Sequence, residues 1–308
     1  MILCCGEALI DMIPRETSDG LTGYVPFAGG AVFNTAIALG RLGAPTAFFT
    51  GLSTDLFGDV LRQTLSDAAV DYGPCAMSPR PTTMAFVKLT NGNAQYTFYD
   101  EGTAGRMLTR RDLPKLDVSV KAMHFGAISL IFEPCGSAYE ALMKREASKR
   151  LISLDPNIRA GFITDAPAHR ARIDRMIAMA DIVKVSDEDL AWIANGKPET
   201  TVLRQWLEGG VRVAIVTRGA EGVVAHTRRG QIMVPARRVS VADTIGAGDT
   251  FNAGFLDGLR RQGNLSKAAI ASLSDADLSS ALERGVAAAS ITVSRAGANP
   301  PWAKEMPV

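Results

Sequence analysis

Residues Val241–Phe251 read VADTIGAGDTF. Three small residues, Gly246, Ala247 and Gly248, separate an apolar lead-in from a carboxylate, Asp249. Apolar residues then recur at helical spacing at Phe251, Phe255, Leu256 and Leu259. The first backbone N–H groups of such a helix have no partner within it. Glycines leave them unshielded, and the helix dipole adds partial positive charge. The turn is therefore an anion site suited to phosphate. A carboxylate in the first turn cannot bind phosphate, but it can take a proton from a hydroxyl that attacks one. N–H groups that neutralise moving charge, beside a base, are the equipment of phosphoryl transfer. The same residues also describe a tight turn with a carboxylate that favours the dipole, and this segment alone does not separate the two.

A second glycine turn lies in AGGAVFNTAIALGRLG, Ala28–Gly43. Gly29 and Gly30 precede a predicted helix with Phe33, Ile37 and Leu42 on its apolar side and Asn34 in its first turn. Backbone N–H groups and one amide are expected to point at a single place, which suits a neutral polyhydroxylated ligand. Packing glycines at a helix start explain the same residues. The dinucleotide fingerprint G-x-G-x-x-G is absent after the first apolar run, where CCGEALIDM has a lone Gly6, and there is no G-x-x-x-x-G-K-[ST]. A nucleotide site must be built otherwise. His124, His169 and His226 show no mutual spacing for metal or nucleophilic work and are expected in structural or surface roles.

Short apolar runs alternate with helical patterns and would hold these turns in place. Strands are predicted at Ile2–Cys5, Thr46–Leu52, Ala122–Ile128, Leu151–Asp155, Ile182–Val185 and Val211–Thr217. Helices are predicted at Ala31–Leu42, Asp55–Ala69, Ser137–Ser148, Pro167–Ala180, Asp187–Ala194 and Thr201–Leu207. Strands without polar alternation suit a sheet covered on both faces. The rhythm implies an α/β fold with a mostly parallel central sheet, which binds ligands beyond the carboxyl ends of its strands. One region breaks the rhythm: Thr83–Leu89 and Ala94–Tyr99 flank Asn91-Gly92, a hairpin signal. Both faces of this hairpin carry apolar groups, so a covered β appendage is expected, joined by the Gly/Pro/Thr-rich residues about 12–27.

The chain has 308 residues, 47% of them hydrophobic, enough for a substantial core without disulfides or metal. A formal net charge of +1 with no long run of one sign gives no indication of nucleic acid or a membrane surface. Cys4, Cys5, Cys75 and Cys135 do not pair by spacing, which fits a reduced cytoplasmic setting. No basic segment followed by a long apolar one marks a secretory signal, and no apolar run is long enough to span a bilayer.

Taken together, the two glycine segments resemble the ribokinase-like (PfkB-type) sugar kinases. That family carries Gly-Gly…Asn…Ala…Leu-Gly-Arg-Leu-Gly near its N-terminus, as Gly29–Gly43 does, and D-T-x-G-A-G-D-x-F near its C-terminus, matched by Asp243–Phe251. The resemblance covers essentially the whole chain. With FYDEGTAGRM and SRAGANPP, the pattern is closest to the bacterial fructokinases of the family. It implies one ribokinase-like domain over 1–308: a central mostly parallel sheet with helices on both faces, plus a small β-sheet lid from about 12–27 and 83–106.

By that resemblance, Asp249 is the catalytic base, and Gly246, Ala247 and Gly248 form the anion hole. Asp11, expected at the end of the first strand, accepts from sugar hydroxyls, and Gly29, Gly30, Asn34 and Arg159 complete the sugar site. Arg159 could stabilise the transferring phosphoryl group or bind a substrate carboxylate; Arg106 raises the same question. Lys184, Ser186, Thr217, Gly219 and Gly222 should meet the nucleotide. Ser186 and Asp189 stand where the family has Asn-x-x-Glu, so direct phosphate contact by Ser186 is in question, while Asp189 could order water on Mg2+. Asp243 and the carbonyls of Ile245, Thr292, Arg295 and Gly297 match the family's monovalent-cation site for K+, though Pro301 replaces a side-chain ligand found in some members. The expected activity is ATP-dependent phosphorylation of a ketohexose hydroxymethyl group, with fructose foremost. The alternatives are 2-keto-3-deoxygluconate as the acceptor, or a sugar-binding regulator, which would have no need of Asp249. The implied partners are the sugar, ATP and a second copy of the chain joined through the lid.

Overall fold

The computed structural model describes residues 1–90 and 93–307, so the Asn91-Gly92 turn lies outside the described residues. In chain order the strands are β1 (Ile2–Cys5), β2 (Leu9–Glu16), β3 (Thr22–Gly29), β4 (Thr46–Phe49), β5 (Gly51–Ser53), β6 (Val70–Asp71), β7 (Ala76–Ser78), β8 (Met84–Thr90), β9 (Asn93–Tyr99), β10 (Ala122–Gly126), β11 (Leu151–Asp155), β12 (Ile182–Ser186), β13 (Val213–Thr217), β14 (Val223–Thr227) and β15 (Gly230–Val234). The helices are α1 (Ala31–Arg41), α2 (Leu56–Asp67), α3 (Cys135–Glu146), α4 (Ala166–Ile177), α5 (Asp187–Ala194), α6 (Glu199–Gly209), α7 (Ala247–Arg261), α8 (Lys267–Ala271) and α9 (Asp275–Val293).

Nine strands form the main sheet in the order β15-β14-β13-β12-β11-β10-β1-β4-β6. From β13 to β6 all pairings are parallel, and only the β14 and β15 edge runs antiparallel. Its central strands are wholly buried, as the unbroken apolar runs predicted. Along β1, Ile2 and Cys4 face a core filled from α1, α2, α7, α8 and α9, while Leu3 and Cys5 face a second core filled from α3, α4, α5 and α6. Several helix starts are fixed by side chains that accept the first free N–H groups. Asp55, Asp165, Ser186, Ser266 and Ser274 do so for α2, α4, α5, α8 and α9.

Four strands make a second, small sheet in the order β3-β2-β8-β9. It starts at Leu9 and runs through Gly29, so it takes in more than residues 12–27. It ends at Tyr99, and residues 100–106 are turns and coil. This corrects the place of Asp11. It is not at the end of β1, which stops at Cys5, but inside β2, opposite Phe27 of β3 and Ala85 of β8. The predicted strand Thr46–Leu52 is also two elements, because β5 leaves the main sheet to pair with β7. No helix among the described residues is long and apolar enough to cross a membrane.

Candidate active site

Two helices begin side by side at the carboxyl ends of the central strands. α7 starts after Gly246, whose φ of 76° needs glycine. Asp249 lies in its first turn, buried, and its Oδ2 accepts a hydrogen bond from Asn34 Nδ2 at 3.0 Å. Thr35 Oγ1 donates to the Asp249 carbonyl at 3.3 Å. These two contacts bind the start of α1 to the start of α7. Burial is the main cause that pushes the Asp249 carboxyl up to about 7; Asp155 adds to the rise, and Asn34, Lys184 and Arg159 oppose it. Among the described residues the N–H groups of Gly248 and Asp249 have no hydrogen-bond partner, and no side chain caps the helix.

The start of α1 is arranged differently from the sequence expectation. Its free N–H groups do not point at a ligand. Glu7 Oε1 accepts from Ala31 N at 2.7 Å and Val32 N at 3.4 Å, and Oε2 accepts from Ser129 N at 3.4 Å. Burial raises the Glu7 carboxyl to about 7. The two glycines make room for the Glu7 backbone and the Asp11 carboxylate. A Cβ on Gly30, where φ is 112°, would sit 2.8 Å from the Glu7 carbonyl, and one on Gly29 would sit 2.3 Å from Asp11 Oδ2. Burial likewise lifts Asp11 to about 6.

The glycine turn is a wall between two cavities. A cleft of about 560 Å³ is lined by Glu7, Asp11, Gly30, Asn34, Phe98, Arg159, Lys184, Ser186, Glu188 and Asp189, among others, and by Gly246–Asp249. A second cavity of about 580 Å³ is lined mainly by apolar groups, including Ala220, Val223, Val239, Phe251, Val286 and Val293, together with Gly219 and Gly222. Thr217, Thr244, Ala247 and Gly248 line both. Polar cleft, glycine turn and apolar pocket thus follow one another.

Lys184 is buried, and its Nζ donates to Asp155 Oδ2 at 3.0 Å. Burial opposes its charge, but Asp155, Asp189 and Asp249 outweigh that, and its pKa is raised. Ser186 and Asp189 form a capping box on α5: Ser186 Oγ accepts from Asp189 N at 3.0 Å, and Asp189 Oδ2 accepts from Ser186 N at 3.3 Å. Asp189 Oδ1 also accepts from Ile158 N at 2.9 Å, which ties the loop bearing Arg159 to α5. Arg159 itself is exposed at the cleft.

Behind the turn, Asp243 clasps two loops. Its Oδ1 accepts from Ile245 N at 3.0 Å and its Oδ2 from Gly297 N at 2.9 Å. Thr292 Oγ1 donates to Thr250 Oγ1 at 3.0 Å, and Arg295 pairs with Glu305. All five residues expected around a monovalent cation therefore belong to these two segments or the helix end between them.

One expectation fails: Gly29 does not line the cleft but stands behind Asp11. Arg106, an open question in the sequence, pairs with Asp100 at 2.8 Å outside the cleft. His124 is buried against Ser153, and burial lowers its pKa to about 4; His169 is buried and His226 half-buried. Sequence reasoning missed Glu7, Asp155 and Asn252. Glu7 follows a lone glycine with no spacing signal, and Asp155 meets Lys184 across 29 positions.

Residues 1–305 match the model of the pfkB family of carbohydrate kinases. The chain belongs to this family. It is 58% identical over 275 residues to a fructokinase of Rhizobium leguminosarum bv. trifolii, covering 89% of this chain and 84% of that protein. The crystal structure of a Xylella fastidiosa fructokinase with bound ATP superposes with a TM-score of 0.89 at 29% identity, covering 99% of this chain and 94% of that one. A double mutant of the Vibrio cholerae O395 fructokinase, with fructose, ADP and potassium ion bound, gives a TM-score of 0.83 at 26% identity, covering 96% and 93%.

Proposed function

We propose that this protein transfers the γ-phosphoryl group of ATP to the 6-hydroxyl of fructose. One observation carries the reading: a buried carboxylate, Asp249, stands on an uncapped glycine turn shared by a polar cleft and an apolar pocket. Fructose occupies the polar cleft, with Asp11, Gly30 and Asn34 at its hydroxyls. Asp249 takes the proton from O6 as O6 bonds to phosphorus and the bond from phosphorus to ADP breaks. The N–H groups of Gly248 and Asp249 meet the charge on the moving phosphoryl group, and Lys184 adds a positive charge beside them. The adenine lies in the apolar pocket near Thr217, Gly219 and Gly222.

Asp189 and Glu188 line the cleft on the first turn of α5. They fit a magnesium ion that arrives with the nucleotide, since such an ion needs only one or two protein carboxylates. It would neutralise phosphate charge. The Asp243 carboxylate and the carbonyls of its two loops are an all-oxygen donor set that fits K+, which would stiffen the turn from behind.

A neutral acceptor suits the charges at the sugar end, where Glu7, Asp11 and Asp249 are all acidic. The exposed guanidinium of Arg159 favours a second reading, with 2-keto-3-deoxygluconate as acceptor. The small sheet acts as a lid, with Phe98 packed on Phe162 at 4.6 Å. One face of it carries exposed Tyr24 and Tyr99, which flank Phe86 at 5.2 and 5.4 Å, a surface suited to a second copy of the chain. The four free cysteines and the demand for ATP fit the cytoplasm.

The test is ADP release over a panel of neutral sugars and sugar acids. Fructose should react best, and Arg159→Ala should not change that order. A wide preference for the acid, lost in Arg159→Ala, would replace this reading with the second. A monomer at micromolar concentration by ultracentrifugation would remove the partner copy.

A further inference from the structure

Asp155 has no place in the chemistry just described, yet it is buried directly beneath it. It ends β11 and is 3% exposed. Its Oδ2 accepts from Lys184 Nζ at 3.0 Å and from Asn252 Nδ2 at 2.7 Å, while its Oδ1 is buried without a hydrogen-bond partner among the described residues. An incompletely satisfied buried ion pair is poor equipment for stability. A carboxylate under an anion-binding turn would also repel a phosphoryl group if it stood alone. Both oddities resolve if the carboxylate serves its neighbour. The Lys184 ammonium lies 3.0 Å from where a Cβ on Gly248 would be, so it touches the floor of the turn. Asn252 belongs to α7, one turn beyond Asp249, so the same oxygen that holds the ammonium also holds the helix.

We propose that Asp155 is a positioning residue that fixes the Lys184 ammonium against the glycine turn and keeps it in register with α7. The inference rests on the kinase reading above. It assigns Asp155 an effect on the transfer step and none on sugar binding, because Asp155 does not line the sugar cleft. It also requires that Asp155 act through Lys184.

The experiment is a double-mutant cycle on the full chain, read as kcat and KM with fructose, or with whichever sugar the wild-type protein phosphorylates. Failure of fructose in the wild type would count against the substrate reading alone and leave the cycle readable with the sugar that works. Asp155→Asn should lower kcat by about 100-fold, the scale for losing one preorganised electrostatic group, with the sugar KM unchanged. Lys184→Met should do the same, and the double variant should be no slower than Lys184→Met. Full kcat in Asp155→Asn, losses that multiply in the double variant, or a rise in sugar KM without a fall in kcat would each overturn the proposal. If Asp155→Asn fails to fold because it strands a buried ammonium, the double variant, which removes both charges, is compared directly with Lys184→Met. A further fall in kcat there would also overturn it.

Discussion

α1 and α7 both begin at the cleft after a glycine of positive φ, Gly30 and Gly246, yet they treat their free N–H groups in opposite ways. At α1 the chain supplies its own anion: Glu7 fills the helix start, and the glycine exists to let the Glu7 backbone approach. At α7 nothing among the described residues fills it; Gly246 is demanded by its φ of 76° and by Ala298, 2.9 Å from where its Cβ would be, while Gly248 keeps the turn bare beside Lys184. A helix start is an anion site in either case. Which one is offered to a ligand depends on whether a distant carboxylate has already taken it. The comparison also separates two kinds of glycine, one whose substitution should cost stability and one whose substitution should cost turnover.

The largest expected effect is at the open turn. Asp249→Asn keeps the acceptor for Asn34 but removes the base, so kcat should fall by roughly two to four orders of magnitude. The same variant should melt higher than wild type at about pH 8. The folded carboxyl titrates near 7, above its ordinary 3.8, so its contribution to stability is complete below the lower value and is lost as pH rises through the higher one. The wild-type kcat/KM should correspondingly rise with pH through about 7 and then level off. A variant that kept more than about a tenth of wild-type turnover in an ADP-release assay would remove Asp249 from the role of base.

Gly248→Ala is the next test. Its φ is ordinary, and the only near neighbour of the new methyl group is the Lys184 ammonium at 3.0 Å. The fold should stand, while kcat should fall by roughly tenfold or more, since small displacements of a catalytic group are expensive. Gly30→Ala should behave in the opposite way. Positive φ and a 2.8 Å approach to the Glu7 carbonyl should remove roughly 1–3 kcal/mol of stability. The kcat per folded molecule should change by only about twofold, measured below the melting transition, and any loss should appear in the sugar KM, because Gly30 lines the sugar cleft. Equal effects of the two substitutions on melting temperature would erase the distinction between the turns.

Much of this was legible in the residues alone. The turn at Gly246–Asp249 announced itself because its parts are adjacent in sequence, and the buried strands because unbroken apolar runs have few other uses. Glu7 was not legible, because what it caps lies 24 residues away. The SDED spelling at Ser186–Asp189 is a capping box by its own spacing, a role that stands beside the proposed one at magnesium and that the family's Asn-x-x-Glu pattern does not announce. Asp11 was misplaced by one strand because Gly6–Ala8 breaks the apolar run only slightly, and the step from main sheet to small sheet falls there. In each case the missing fact was a contact between segments, to which local pattern is blind.

The smallest expected effect tests the filled turn itself. Glu7→Gln can still accept from Ala31 N and Val32 N, but its amide would set a donor against Ser129 N, where Glu7 now accepts. At about pH 5 wild-type Glu7 is protonated in the folded state, and the variant should melt slightly lower, at a cost of about 1 kcal/mol. As pH rises, wild type must ionise a buried carboxyl whose folded value is about 7 against an ordinary 4.5. Its stability contribution is therefore present in acid and lost through neutrality, whereas glutamine does not titrate. The melting-temperature gap should close between about pH 5 and about pH 8. Asp11 titrates in both proteins, so its share cancels in the difference, whereas Asp249, whose charge raises Glu7, is coupled to it and adds to the wild-type loss as pH rises. Turnover should fall far less than in Asp249→Asn, because Glu7 accepts from α1 and Ser129 and makes no hydrogen bond to Asp249, although it lines the sugar end of the cleft. Calorimetry at the two pH values decides it. A gap that widens toward alkaline pH would mean that the Glu7 charge is welcome where it lies, and α1 would then be an anion site that gains from being filled rather than one that merely tolerates it.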